Sequence, residues 1–500
     1  MRFASLLTKW VLDLGGRLRH LPEDVRAVAG LFVVAALLAA AISIVLTPPM
    51  QTPDAFVQFD RAVQVSQGGL IGQVKGQVAG GYLPAGLPGF ESTFDGMVFR
   101  YPVKLTRAEF QRAARETWTN RKTFVPFAAT TEYAPLAYVP GAVGVALGRL
   151  LSDRILVGYY TEELVNSLVF IALVAWAILL FRGTASLLVA AVGLLPMTIA
   201  LAASPSTDGL LFGLSAVFAG IVYRRAALVG ESASATTGPA TPARVPWSRR
   251  VFPVQGMEWV ALGALAIVGL ARPPYVGLVL ALGAVEASRR QLWAYLLKVV
   301  PLGALMTLVV AVWFLLGARF QGAFQAIRGT GVSPFEQVRF VFVHPGLLPH
   351  LAAQTLSLNA HFYFESFIGI LGWLDTPLER WLYVGLLAGL LVLAGLHVAG
   401  AKVDLWVTLC AAVAVAVSAA LLFAVLYADW TPVGAPVVVG VQGRYFLPLA
   451  PTVVLALGWD RRAAVLATVR RRAGEAIFLA MGLVSVIGSS IALVGRFWLA

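Results

Sequence analysis

The 500-residue chain carries 38 Lys and Arg against 25 Asp and Glu, a net charge of +13, with 59% hydrophobic and only 13% charged residues. Soluble domains carry about 25% charged residues, so this composition cannot cover a water-exposed surface, and the mean hydropathy of +0.80 agrees. Much of the Arg and Lys flanks apolar runs instead of forming a basic patch interleaved with aromatics, which argues against nucleic acid as a partner; the single Cys410 excludes an intramolecular disulfide and a Cys-based metal or redox centre.

Met1 to His20 is a basic amphipathic stretch, and Ala27 to Leu46 is an uncharged run long enough to cross a bilayer. Thr47-Pro48-Pro49 follows it in place of a small-residue cleavage site, so it is expected to remain as an uncleaved first span. Further spans are expected at 155–181, 184–203, 207–226, 257–271, 274–287, 295–316, 381–398, 403–427, 444–459 and 475–497. The reading is an all-α integral membrane protein with about eleven transmembrane helices, within a range of ten to thirteen.

Tyr133 to Leu151 is apolar but interrupted by Pro135 and Pro140. Drawing it as an external interfacial helix keeps Arg224, Arg225, Arg249, Arg250 and the later Arg470, Arg471 and Arg472 in the cytoplasm, as the positive-inside rule prefers. The divisions are then a cytoplasmic N-terminus (1–26), the first span (27–46), a large external loop (47–154), spans (155–228) and a cytoplasmic loop (229–250) whose Ser/Ala/Thr/Pro-rich stretch Gly230 to Pro246 is flexible. More spans (251–316), a second external loop (317–380) and C-terminal spans (381–500) complete the chain. Loops of this length are usually functional. The first is expected to hold helices from Ala55 to Ser66 and from Arg107 to Trp118, the latter opened by the capping box Thr106 to Glu109.

The sharpest local feature is Pro48-Pro49-Met-Gln-Thr-Pro53-Asp54. Asp54 leads a helix whose Gln58 and Arg61 share its face. Its carboxylate could act as a general base toward a hydroxyl, as a ligand for a divalent cation such as Mg or Mn, or simply as an N-cap. Asp60 points away from Asp54 and reads as solvated surface. Asp208 opens a span, with Thr207 or Ser206 competing for the cap. Glu162, Glu163 and Asn166 enter a span from outside and are candidates for a polar cavity wall. Arg272, beside Pro273-Pro274-Tyr275, and Arg444, before Tyr445, stand at span mouths, where each could hold a lipid phosphate or snorkel to the interface. His344, His350 and His361 are too widely spaced for a metal signature and read as structural. The aromatic stretch from His361 to Trp373 and Asp375 is an interfacial belt or a sugar-stacking platform. There is no P-loop, dinucleotide fingerprint, nucleophile elbow or kinase motif set.

Taken in order, Pro48-Pro49 with Pro53-Asp54 and Phe59, Tyr133-Ala-Pro-Leu-Ala-Tyr138-Val-Pro140, Ser206 with Asp208, Gly372-Trp373-Leu-Asp375-Thr376 and Gly440-Val-Gln-Gly-Arg444-Tyr-Phe-Leu-Pro448 resemble the bacterial membrane-protein family known as domain of unknown function twenty-one forty-two. That family is similar in layout to the GT-C glycosyltransferases, which draw sugars from polyprenyl-phosphate carriers and use an acidic residue in the first external loop. The resemblance implies that Asp54 is the catalytic acidic residue and that Arg272 or Arg444 contacts a lipid phosphate. Where the family has Asp-Glu-Pro-x-His-Phe, this chain carries Ala55 and Gln58 in place of the glutamate and histidine. The expectation is a GT-C-like transferase of the bacterial cytoplasmic membrane, N-terminus inside and active side outside, that moves a sugar onto a cell-envelope glycan or lipid. Its substrate contacts would be Gln58, Arg61, Glu163, Asp208, Arg272, Trp373, Asp375, Arg444 and Tyr445, with membrane lipids around it. A protein that binds or translocates lipid-linked glycans, or a glycan polymerase or ligase, is the alternative.

Overall fold

In a medium without water every backbone N–H and C=O must be bonded within its own segment, so long apolar runs are expected to fold as helices. The computed structural model describes residues 23–235, 257–285, 292–317, 330–460 and 467–499. Expectations for Met1 to His20 and for the loop beyond Ala235 lie outside these residues. Helix α1 (Glu23–Leu46) ends just before the Pro48-Pro49 pair. The long segment between the first two long helices follows, with α2 (Ala55–Ser66), α3 (Leu87–Ser92), α4 (Arg107–Ala113), α5 (Ala128–Thr131) and α6 (Val139–Leu151).

This segment also contains an unexpected antiparallel sheet of β1 (Gln73–Lys75), β2 (Val78–Pro84) and β3 (Lys122–Pro126), with Tyr82 opposite Phe124. The strands are short and β2 holds two glycines, so no alternating pattern announced them. The capping box opens α4: Glu109 N donates to Thr106 Oγ1 at 3.2 Å, and Thr106 N donates to Glu109 Oε2 at 2.9 Å. The helix stops at Ala113, earlier than the expected Trp118, because the chain turns to pair Thr117 with Arg154 and Trp118 N bonds Asp153 O at 2.8 Å.

Helix α6 packs along α7 (Ile155–Leu180) so closely that a Cβ at Gly144 would lie 2.5 Å from Glu162 Cα. The expected span 184–203 is two helices, α8 (Gly183–Gly193) and α9 (Pro196–Ala202), bent by 65° where Pro196 removes a backbone donor. Helix α10 (Asp208–Ala235) is buried around most of its circumference, with Leu211, Phe212, Phe218 and Tyr223 in the core, and it continues through the start of the expected loop at Gly230.

Next come α11 (Met257–Ala271), a 3-10 stretch over Pro273–Val285, α12 (Leu292–Gly317), α13 (Pro334–Val343) and α14 (Leu348–Ile368). A small hairpin of β4 (Ile370–Leu371) and β5 (Thr376–Pro377) precedes α15 (Arg380–Val398). After β6 (Ala401–Lys402) and α16 (Leu405–Asp429), a 3-10 turn at Gly443–Leu449 runs into α17 (Ala450–Ala456). β7 (Trp459–Asp460) pairs with β6, and α18 (Ala467–Phe497) closes the chain.

Among the described residues six helices are long and apolar enough to cross a membrane, or up to seven if the bent pair is one span. Val34, Val45, Leu391 and Ile491 stand exposed on such helices, which suits a lipid solvent and not water.

Candidate functional site

Asp54 sits just before α2 with φ +63°, a left-handed conformation that Asp tolerates better than most residues. Its backbone carbonyl accepts Gln58 N at 3.0 Å, but its carboxylate makes no cap bond. The N-cap reading is therefore corrected: Asp54 Oδ2 receives Arg444 Nη2 at 2.6 Å. Asp208 is likewise released from capping, because Ser206 Oγ accepts Asp208 N at 3.1 Å. Its carboxylate, at the positive end of α10, meets Arg272 Nη2 at 2.6 Å through Oδ1 and Arg444 Nη1 at 3.5 Å through Oδ2.

Each arginine is placed by a local device. Pro273 and Pro274 prevent α11 from continuing as an α-helix, and Arg272 is the residue at that break. Arg444 enters the 3-10 turn with Nε donating to Gln442 Oε1 at 2.5 Å. That turn lies against α14 only because residue 443 is glycine, since a Cβ there would stand 1.9 Å from Tyr363 O; Gly443 N bonds Ser366 Oγ at 2.8 Å. Both guanidiniums lie over the Tyr445 ring, at 4.7 Å for Arg272 and 5.2 Å for Arg444. Tyr275 OH donates to Tyr445 O at 2.8 Å, which ties the two breaks together.

The result is an alternating cluster, Asp54–Arg444–Asp208–Arg272, with two negative and two positive groups. Arg444 and Asp208 are buried, whereas the Asp54 side chain is 44% exposed. With one partner half-exposed, the Asp54 contact is the one in the cluster that solvent screens most. Tyr133 stands nearby, its phenol pushed up to about 12 chiefly by burial. A divalent cation does not suit this arrangement. Among the described residues no group of three or more His, Cys, Asp or Glu side chains is placed to hold a metal ion, and the charge facing Asp54 is already a guanidinium.

Of the other expected contacts, Tyr445 belongs to the cluster, while several are engaged elsewhere. Arg61 is fully buried, donating to Gln64 Oε1, to Leu70 O at 3.0 Å and to Tyr133 O at 2.9 Å, so it ties α2 to two loop segments. Gln58 is buried with Oε1 unpartnered. Glu163 and Glu162 are buried on α7, and Glu162 lines a pocket of about 10 Å³ with Tyr138, Asn166 and Ser206, room for about one water. Trp373 Nε1 donates to Met50 O at 2.8 Å, and its ring packs against Phe56 and Phe99. Asp375 Oδ2 receives Arg496 Nη2 at 2.9 Å and Nε at 3.2 Å. Arg496 also donates to the carbonyls of Met97, Tyr101 and Val103, which staples the end of α18 to the segment between α1 and α7. Sequence reading gave Arg496 no role, because a single arginine ending an apolar run looks like any topology signal.

Asp60 corrects a further expectation. It is buried at 2% exposure, not solvated, and it faces Glu91 of α3. Burial first, then the neighbouring acid, raises the Asp60 carboxyl well above its ordinary range, and burial pushes Glu91 up to about 7.

A family model described as a predicted membrane protein, DUF2142, matches residues 37–453. No curated protein and no solved structure matches the chain.

Proposed function

Because this chain belongs to the DUF2142 family of predicted membrane proteins, and four of its charged side chains from distant segments meet at one cluster, we propose that it is a membrane glycosyltransferase of GT-C-like layout using a polyprenyl-phosphate-linked sugar. The proposal includes the finer topology of about eleven spans, a bacterial cytoplasmic membrane, and a site on its outer side where a cell-envelope glycan or lipid is the acceptor.

The observation that carries the reading is Arg444 shared between Asp54 and Asp208. A donor phosphate replaces the Asp54 carboxylate on Arg444 Nη2, as a charge-assisted hydrogen bond to a guanidinium. Asp208 stays in place and holds both arginines in register. The freed Asp54 then accepts the proton of the acceptor hydroxyl as its oxygen bonds the anomeric carbon. The bond from that carbon to the phosphate oxygen breaks, its electron pair stays on the phosphate, and Arg444 and Arg272 stabilise the added charge. No step uses a metal.

Binding or translocation of lipid-linked glycans without chemistry is the second reading, favoured by one fact: the Asp54 carboxylate is already paired. The deciding experiment follows consumption of a panel of polyprenyl-phosphate sugars by the purified protein in liposomes. Turnover lost in Asp54→Asn supports a transferase; saturable donor binding with no turnover in either protein supports the carrier.

A further inference from the structure

A second cavity lies apart from the charged cluster. It measures about 500 Å³, within the range of small-molecule sites, and its walls come from α13 (Val338, Val341), α14 (Leu351, Thr355), α16 (Phe423) and Val438. The lining is almost wholly apolar, and Phe342 and Leu348 within it are exposed.

One segment joins this cavity to the arginines. Val438 forms part of its wall and is pinned by Val438 N to Thr355 Oγ1 at 3.0 Å. Six residues later Arg444 holds Asp54 and Asp208. Between them Gly443 N is pinned to Ser366 Oγ, so the segment runs along α14 from Thr355 to Ser366, about 16 Å at the rise of an α-helix. The Tyr363, Phe423 and Phe446 rings meet in the interval, Tyr363 edge-on to the other two.

We propose that this cavity holds the hydrocarbon chain of a lipid phosphate whose head group sits at Arg444 and Arg272. A chain burying apolar area here and a phosphate on the arginines would be read by the two ends of one rigid segment. A neutral lipid fits the apolar half alone, whereas a chain ending in a phosphate monoester fits both. This assignment rests on the phosphate-binding part of the proposed function and adds the site of the tail.

The test measures binding of geranylgeranyl phosphate, dimethylallyl phosphate and geranylgeraniol to the detergent-solubilised full chain. Ala352→Trp and Ala424→Trp fill the cavity from opposite walls at exposed positions; Ala388→Trp, on the outer face of α15, is the control. The cavity variants are expected to weaken geranylgeranyl phosphate about tenfold or more while leaving dimethylallyl phosphate and the control unchanged, and Arg444→Gln is expected to weaken both phosphates. Unaltered geranylgeranyl phosphate binding in both cavity variants overturns the assignment. So does equal competition by geranylgeraniol or phosphatidylglycerol, the result for bulk lipid only. Chain-length discrimination without Asp54-dependent sugar transfer would leave the tail site standing and remove the transferase instead.

Discussion

Arg444 and Asp54 are 390 positions apart in sequence, yet Nη2 and Oδ2 lie 2.6 Å apart, on the face of a guanidinium whose other nitrogen reaches Asp208. This contact closes the site, because it joins the segment after the first span to the 3-10 turn at Gly443–Leu449. In the proposed transfer it also sets the order of events: Asp54 is not free as a base until something else occupies Arg444.

Asp54→Asn is therefore expected to act in two directions. Sugar transfer is lost, since an amide cannot accept the acceptor proton. Binding of dimethylallyl phosphate tightens several-fold, because the anion no longer displaces a carboxylate. Titration of the variant beside wild type checks this, and weaker phosphate binding in Asp54→Asn would contradict the displacement step.

Arg444→Ala leaves Asp208 buried with only Arg272 beside it. Removing one partner of a buried ion pair costs about 3–5 kcal/mol, so a clear fall in thermal unfolding temperature is expected. Adding Asp208→Asn is expected to cost less than that change does alone, because its bond to Arg444 is already gone, although it also strips Arg272 of its carboxylate. Additive losses in the double variant would place the two residues in separate networks.

Gly443→Ala is expected to disrupt the site without touching a charge. The new Cβ would meet Tyr363 O at 1.9 Å, so the turn carrying Arg444 must move away from α14. Phosphate affinity should fall while Gly395→Ala, where a Cβ meets nothing within 4 Å, leaves it intact. Equal affinities for the two variants would dissociate the turn from the site.

The Asp60 and Glu91 pair gives stability a pH dependence. Glu91 titrates near 7 in the folded chain against an ordinary 4.5, so the folded state binds more protons between those values. Its contribution is full below about 4.5 and is lost as pH rises toward about 7. Glu91→Gln, unable to ionise, should flatten this slope and raise the unfolding temperature above pH 7 relative to wild type. Thermal unfolding across pH 4.5 to 8 measures it, and an unchanged slope would show that the pair is not the source.

Composition and run length settled that this is a polytopic membrane protein, because a chain with so few charges has no means of covering itself against water. The first span, the helix after Asp54 and the capping box at Thr106 were also legible, since each depends on residues within a few positions of one another. Sequence could name Asp54, Asp208, Arg272 and Arg444 as charges at span mouths, but a carboxylate before a helix looks the same whether it caps that helix or meets an arginine. Tertiary structure alone decided that Ser206 takes the cap at α10, that the left-handed backbone at Asp54 turns its carboxylate to Arg444, and that Asp60 and Arg496 are buried. The reason is physical: helix formation and apolar burial follow local pattern, whereas the partner of a charge is set by which distant segments the packed helices bring within about 3 Å.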